Sequence, residues 1–192
     1  MDLAFLRLHP TNEEQLSYIW RCPRLQLLPP SVGTVVSAFG YHSSHTEIDH
    51  TSRRIRITTN PSTSQGVVQE VHHYKRDSVI LPFRCFRTDS RFDRGMSGGP
   101  VFSSAGALCG IICTNFQVSA PDDDEHHTSY VTTLWPSMVI KVAFNRSGYP
   151  QDVYYPAFEL ARGGFIKAVD WERFHYEYDE TTGIAMIGAP IS

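Results

Sequence analysis

The segment Gly95-Met96-Ser97-Gly98-Gly99-Pro100-Val101-Phe102 sets one serine hydroxyl among glycines. Flanking glycines let the backbone take angles that hold such a hydroxyl exposed on a tight turn. They also let neighbouring N–H groups converge on one point, where the oxyanion of an acyl-transfer intermediate would be stabilised. The chemistry on offer is nucleophilic acyl transfer through Ser97. The same letters also make a Gly-rich hairpin turn with no chemistry, so the elements around the motif must decide.

A Gly-x-Ser-x-Gly pattern fits the nucleophile elbow of α/β-hydrolases, which needs a buried strand before the serine and a helix after it. Residues 88–94, Thr-Asp-Ser-Arg-Phe-Asp-Arg, are too polar for a central parallel strand, and Pro100 with a strand-like pattern follows. The wider chain reads as β structure. Apolar or β-branched runs cover residues 3–8, 32–39 (closed by Gly40), 67–74 and 79–86, the last two joined by the turn Lys75-Arg76-Asp77. Residues 101–102 and 107–113 flank a second turn, and 130–133 is a further strand candidate. Short strands separated by turn residues predict an all-β, antiparallel sandwich or barrel. Residues 40–61 and 119–128 read as polar loops. Helices are expected late: 135–143, opened by Trp135-Pro136-Ser137, then 154–161 and 165–174, separated by Gly163-Gly164. A boundary falls near 146–150, giving a main domain over 1–145 and a helical extension over 146–192.

Composition narrows the function. The 192 residues carry 17 Lys+Arg against 20 Asp+Glu, a net charge of −3, so no basic excess marks nucleic acid as a partner. An apolar content of 41% argues against disorder, and no apolar run approaches a membrane span. Asp2 stands where a signal peptide would be basic. The four cysteines, Cys22, Cys85, Cys109 and Cys113, show no CxxC spacing and read as thiols of a reducing compartment, which favours the cytoplasm. Asp122 to His127 matches no EF-hand or zinc spacing and reads as a solvated acidic loop. His72 and His73, adjacent in a strand, would point to opposite faces. Trp20, Trp135 and Trp171 read as packing anchors. No metal or cofactor is expected.

The stretch from Gly95 to Val101, followed by Leu108-Cys109-Gly110-Ile111-Ile112-Cys113, resembles the active-site serine region of chymotrypsin/trypsin-like serine peptidases. Asp2-Leu3-Ala4-Phe5-Leu6-Arg7-Leu8 looks like the strand that carries the triad aspartate there, and Asp2 lies 95 positions before Ser97, about the family's spacing. Val35-Val36-Ser37-Ala38-Phe39-Gly40-Tyr41 resembles the strand opening the second barrel, and residues 130–142 the last barrel strand running into a C-terminal helix. The resemblance covers residues 2–145. It implies a Greek-key β-barrel, the second of a chymotrypsin-like double barrel with the last strands of the first, and a serine-type endopeptidase. Ser97 would be the nucleophile and Asp2 the group that orients a histidine. The N–H groups of Gly95 and Ser97 would form the oxyanion hole, and Cys113-Thr114-Asn115 the wall along which a peptide or protein substrate lies. Arg91, six residues before Ser97, would sit near the base of the specificity pocket and favour acidic side chains.

Departures from the family pattern matter too. The triad histidine should precede the aspartate in an Ala-His context, yet all nine histidines follow Asp2 and none has that context. The expectation is a fragment or mis-started gene model lacking most of the first barrel. The alternatives are an inactive pseudo-protease acting as a peptide-binding module, and a site recruiting His42 or His45. Met96 occupies the place of the acid that receives a newly cut N-terminus, so no such activation step is expected. Asp93 and Phe102 stand where secreted members often carry disulfide cysteines.

Overall fold

Alternation sets the first strand: Val36, Ala38 and Gly40 are buried, whereas Val35 and Ser37 face solvent. The computed structural model describes residues 11–15, 22–118, 126–144, 153–179 and 181–188. Six strands, β1 (Val35–Asp49), β2 (Arg54–His72), β3 (Cys85–Thr88), β4 (Pro100–Ser103), β5 (Leu108–Val118) and β6 (His126–Thr132), close into one barrel in the order β1-β2-β3-β6-β5-β4. Every pairing is antiparallel, and β4 returns to β1 with Val36 opposite Ser103 and Ala38 opposite Val101. The meander β4-β5-β6 with β3 beside β6 is a Greek key. The expected all-β, antiparallel Greek-key barrel is thus present. Its interior holds Val36, Ala38, Val68, Phe86, Phe92, Met96, Val101, Cys109, Ile112 and Val131. Closure leaves the barrel no free edge.

The structure corrects the loop read over residues 40–61. β1 and β2 pair through it, from Tyr41 opposite Pro61 out to Asp49 opposite Arg54. The tip turns on Asp49, whose carboxylate accepts hydrogen bonds from the Thr51 and Ser52 amides and the Ser52 hydroxyl. Only the inner half of this hairpin belongs to the barrel, because the outer half leaves its large apolar side chains Ile48, Ile55 and Ile57 exposed. The strand read over 79–86 also shrinks to β3. Asp77 folds the preceding residues into a turn, accepting from the amides of Val79 (2.8 Å), Ile80 (2.6 Å) and Leu81 (3.2 Å).

Those amides, Val79 first, hold the Asp77 carboxyl below the ordinary aspartate value of 3.8, helped by Arg76 and opposed by partial desolvation. A depressed folded value contributes stability above the unfolded value and loses it as pH falls through the folded one. The turn is therefore expected to loosen below about pH 4 and hold at neutrality. Faster amide exchange of Val79 to Leu81 at pH 3 than at pH 6, after correction for intrinsic rates, is the expected result. Asp77→Asn, with no charge to titrate, should flatten the difference.

By its contacts the chain forms two compact units, Pro29–Thr133, which contains the barrel, and a discontinuous one of Met1–Leu28 with Leu134–Ser192. In the second unit the helix read over 135–143 is a 3₁₀ turn, Trp135–Val139, followed by β7 (Lys141–Phe144). β7 pairs with β8 (Val153–Pro156), so the read helix over 154–161 begins as a strand and becomes α1 (Ala157–Arg162) only after Pro156. Gly164, at φ +76°, follows the helix end. The helix read over 165–174 does not form beyond a 3₁₀ turn at Trp171–Arg173. Its backbone is engaged elsewhere: the Leu25 amide donates to Lys167 O, and the Val169 amide to Leu25 O. Asp170 accepts from the Leu27 and Leu28 amides, each at 2.8 Å. β9 (His175–Asp179) and β10 (Ile184–Gly188) form a final hairpin. Trp135 packs on Phe174 and Trp171 on Phe158, the anchoring role expected of them. Trp20, residues 3–8 and most of the 119–128 segment lie outside the described residues, apart from His126 to Thr128 in β6.

Candidate active site

The loop between β3 and β4 carries the motif, and Met96 anchors it. Met96 is 1% exposed and belongs to the barrel core. Its neighbour across the interior is Gly40 of β1, where a Cβ would lie 2.8 Å from the Met96 Cβ. A side chain at residue 40 and an anchor at 96 therefore exclude each other. With Met96 turned inward, Ser97 is turned outward and is exposed. Gly95 at φ +102° and Gly98 at φ +87° supply the left-handed backbone on either side. Gly99 lies so close to Phe39 O and to Met96 O that no Cβ fits there.

Hydrogen bonds fix the loop selectively. Met96 donates its amide to Asp93 O (3.1 Å), Gly98 to Ile112 O (2.9 Å) and Gly99 to Met96 O (2.9 Å), and Ile112 donates to Gly99 O (2.8 Å). The amides of Gly95 and Ser97 are engaged by no acceptor among the described residues. Two unengaged N–H groups flanking an exposed hydroxyl are a donor set suited to a developing oxyanion. The Ser97 hydroxyl itself donates to Cys113 O at 3.2 Å. That carbonyl is available because β5 bulges there: Ile112 faces Val131 and Thr114 faces Tyr130, leaving Cys113 unpaired in the ladder.

Beside Ser97 opens a pocket of about 380 Å³, lined among others by Arg91, Phe92, Asp93, Arg94, Gly95, Thr114 and Asn115. Its wall is tied to the barrel: Asn115 Nδ2 donates to Phe92 O (2.8 Å), Ser129 Oγ to Ser90 O (2.6 Å), and Asp89 accepts from the Val67 amide (2.6 Å). Arg91 Nε donates to Asp93 Oδ1 at 2.9 Å. Of the residues singled out in the sequence, Ser97, Gly95, Arg91, Thr114 and Asn115 therefore line one cavity, and Cys113 joins them through its carbonyl. Asp2 lies outside the described residues. Among the described residues no histidine hydrogen-bonds Ser97; His42 contacts the Ser43 hydroxyl and His45 lies near Glu47. Sequence reasoning missed the anchoring pair Gly40 and Met96, for which a Gly at the end of one apolar run was the only signal. It also missed Arg94, which needed the pocket to be seen. Among the described residues no group of three or more His, Cys, Asp or Glu is placed to hold a metal ion.

Burial pushes the thiols of Cys85 and Cys109 up to about 12, and raises that of Cys113. Cys22 is exposed. Because the thiolate is the reacting form, iodoacetamide at pH 8 is expected to modify Cys22 first. Cys113 should react slowly, and Cys85 and Cys109 only in denaturant. Peptide mapping checks the order; rapid native labelling of Cys109 would contradict the closed barrel.

A family model described as a trypsin-like peptidase domain matches residues 1–111. No curated protein matches the chain. Among solved structures, the MamO protease domain from Magnetospirillum magneticum, in its apo form, is 20% identical with a TM-score of 0.36, over 56% of this chain and 47% of that one. The chain thus spans about half the length of that domain.

Proposed function

This chain belongs to the trypsin-like peptidase family, and from that premise we propose that it acts as a serine-type endopeptidase through an acyl-enzyme on Ser97. Ser97 Oγ attacks the carbonyl carbon of a bound peptide, its proton passing to the general base that the family's histidine would supply and Asp2 would orient; none of the nine histidines of this sequence has that histidine's context. The tetrahedral oxyanion accepts from the N–H groups of Gly95 and Ser97. Collapse breaks the C–N bond, the proton goes to the leaving amine, and water then releases the acyl group. The substrate backbone lies along Cys113 to Asn115, with a side chain in the pocket that Arg91 lines. One observation carries this reading: unengaged amides of Gly95 and Ser97 flank an exposed hydroxyl at a pocket mouth.

A second reading has its own support. Among the described residues the Ser97 hydroxyl donates to Cys113 O and meets no side-chain base, which suits a cleft that binds peptides without cleaving them. Incubating the protein from its source with a neutral peptidyl phosphonate, then mapping adducts by mass spectrometry, separates the two. An adduct on Ser97 is the expected result. Peptide binding without any adduct would replace the peptidase with the binding module.

A further inference from the structure

The pocket beside Ser97 carries an unbalanced charge. Arg91, Asp93 and Arg94 all line it. Arg91 and Asp93 neutralise each other through the 2.9 Å contact between Nε and Oδ1. Asn115 has its amide nitrogen committed to Phe92 O. Arg94 lines the same cavity, is exposed, and has no ion-pair partner among the described residues. One cation is thus left over at the rim of a cleft whose other ionic groups are already matched. Arginine presents a planar fork of N–H donors that suits a carboxylate, and a charge-assisted pair of that kind outweighs a neutral hydrogen bond about twofold.

We propose that this pocket selects an acidic side chain, glutamate or aspartate, of the bound polypeptide, and that Arg94 does the selecting while Arg91 serves to hold Asp93. The inference rests on the Ser97 cleft binding peptides, as above. It departs from the sequence-based assignment to Arg91, whose charge is paired with Asp93 through Nε. A basic side chain is disfavoured because Asp93, the pocket's one carboxylate, already holds Arg91. An apolar side chain would sit beside the Arg94 cation and gain nothing from it.

The test uses acetylated tetrapeptides that differ only in the last residue, Glu, Leu or Lys, titrated into the full chain and followed by amide NMR shifts at Gly95 and Ser97. The Glu peptide is expected to bind about tenfold tighter than the Leu peptide. The advantage should shrink between 50 mM and 500 mM salt, since the pair is solvent-accessible. Arg94→Ala should bring the Glu to Leu ratio near one, and Arg94→Glu should turn the preference toward Lys. Asp93→Asn, which frees Arg91, should widen the Glu advantage. A Glu to Leu ratio near one in the native chain, or one that Arg94→Ala leaves unchanged, would overturn the proposal. If Leu peptides bind as well as Glu peptides, the cleft still binds peptides and only the pocket's selectivity is lost; a phosphonate adduct on Ser97 keeps the peptidase reading, and its absence gives the binding module. If no peptide binds and no adduct forms, both fall together.

Discussion

Ser97→Ala is expected to lower peptide hydrolysis by the source protein on the order of 10⁶-fold, the scale seen when a triad nucleophile is removed from a serine protease of another fold. What remains is binding and the donor set, because the amides of Gly95 and Ser97 belong to the backbone and survive the substitution. The fold should survive as well. Among the described residues the lost hydroxyl makes one hydrogen bond, to Cys113 O at 3.2 Å, from an exposed position. A bond of that kind contributes about 1 kcal/mol or less. Turnover and thermal midpoint measured on the same preparation check the split. Hydrolysis that persists in the alanine variant would place the chemistry elsewhere.

Gly99→Ala is expected to do the reverse, breaking the loop through packing without touching a reactive group. A Cβ at this position would overlap Phe39 O and approach Met96 O to 2.9 Å. Both obstacles are main chain, held by the barrel strand β1 and by the anchored methionine, so neither swings aside like a side-chain tip. Overpacking of this type costs about 3 kcal/mol or more, or roughly 10 °C in a chain of this size. Gly98→Ala is the control. Gly98 has φ +87° and open space where its Cβ would stand, so only left-handed strain applies, about 1–2 kcal/mol. Urea melts of the two variants give the order directly. An equal loss would mean that the left-handed turn, and not the close approach to β1, limits the loop.

The barrel was legible wherever a strand buries one face. Val36 and Ala38 alternate with exposed neighbours, and the residues 101–102 and 107–113 bracket a turn, so β1, β4 and β5 announce themselves. The hairpin arm was not, because its register is held by backbone pairing, the Asp49 turn and an exposed Glu47–Arg56 pair, and its isoleucines face water. The alternation of Arg54-Ile55-Arg56-Ile57 was the available signal, masked by the histidines and serines of the opposite strand. The late helices failed for another reason. Residues 166–169 have apolar spacing that suits a helix, but Leu25, far away in sequence, takes their hydrogen bonds. Local pattern carries no record of such a partner. At the site, residue types pointed to Ser97 and its glycines, since the chemistry is local to five residues. The pairing of Arg91 with Asp93 depends on the fold of the loop, so the charge left on Arg94 emerged only in three dimensions.

The carboxylate of Asp170 that receives the amides of Leu27 and Leu28 has a consequence for synthesis. The two ends of that contact are 143 and 142 residues apart. All pairings of the barrel lie between Val35 and Thr132, so they can form while residues 166–170 are still being added. At about 5–20 residues per second, the segment around Leu25 waits seconds for its partner, its apolar side chains open to other chains meanwhile. The barrel is in this sense the early folder, and the discontinuous unit is completed from its C-terminal side, by residues translated after the barrel strands.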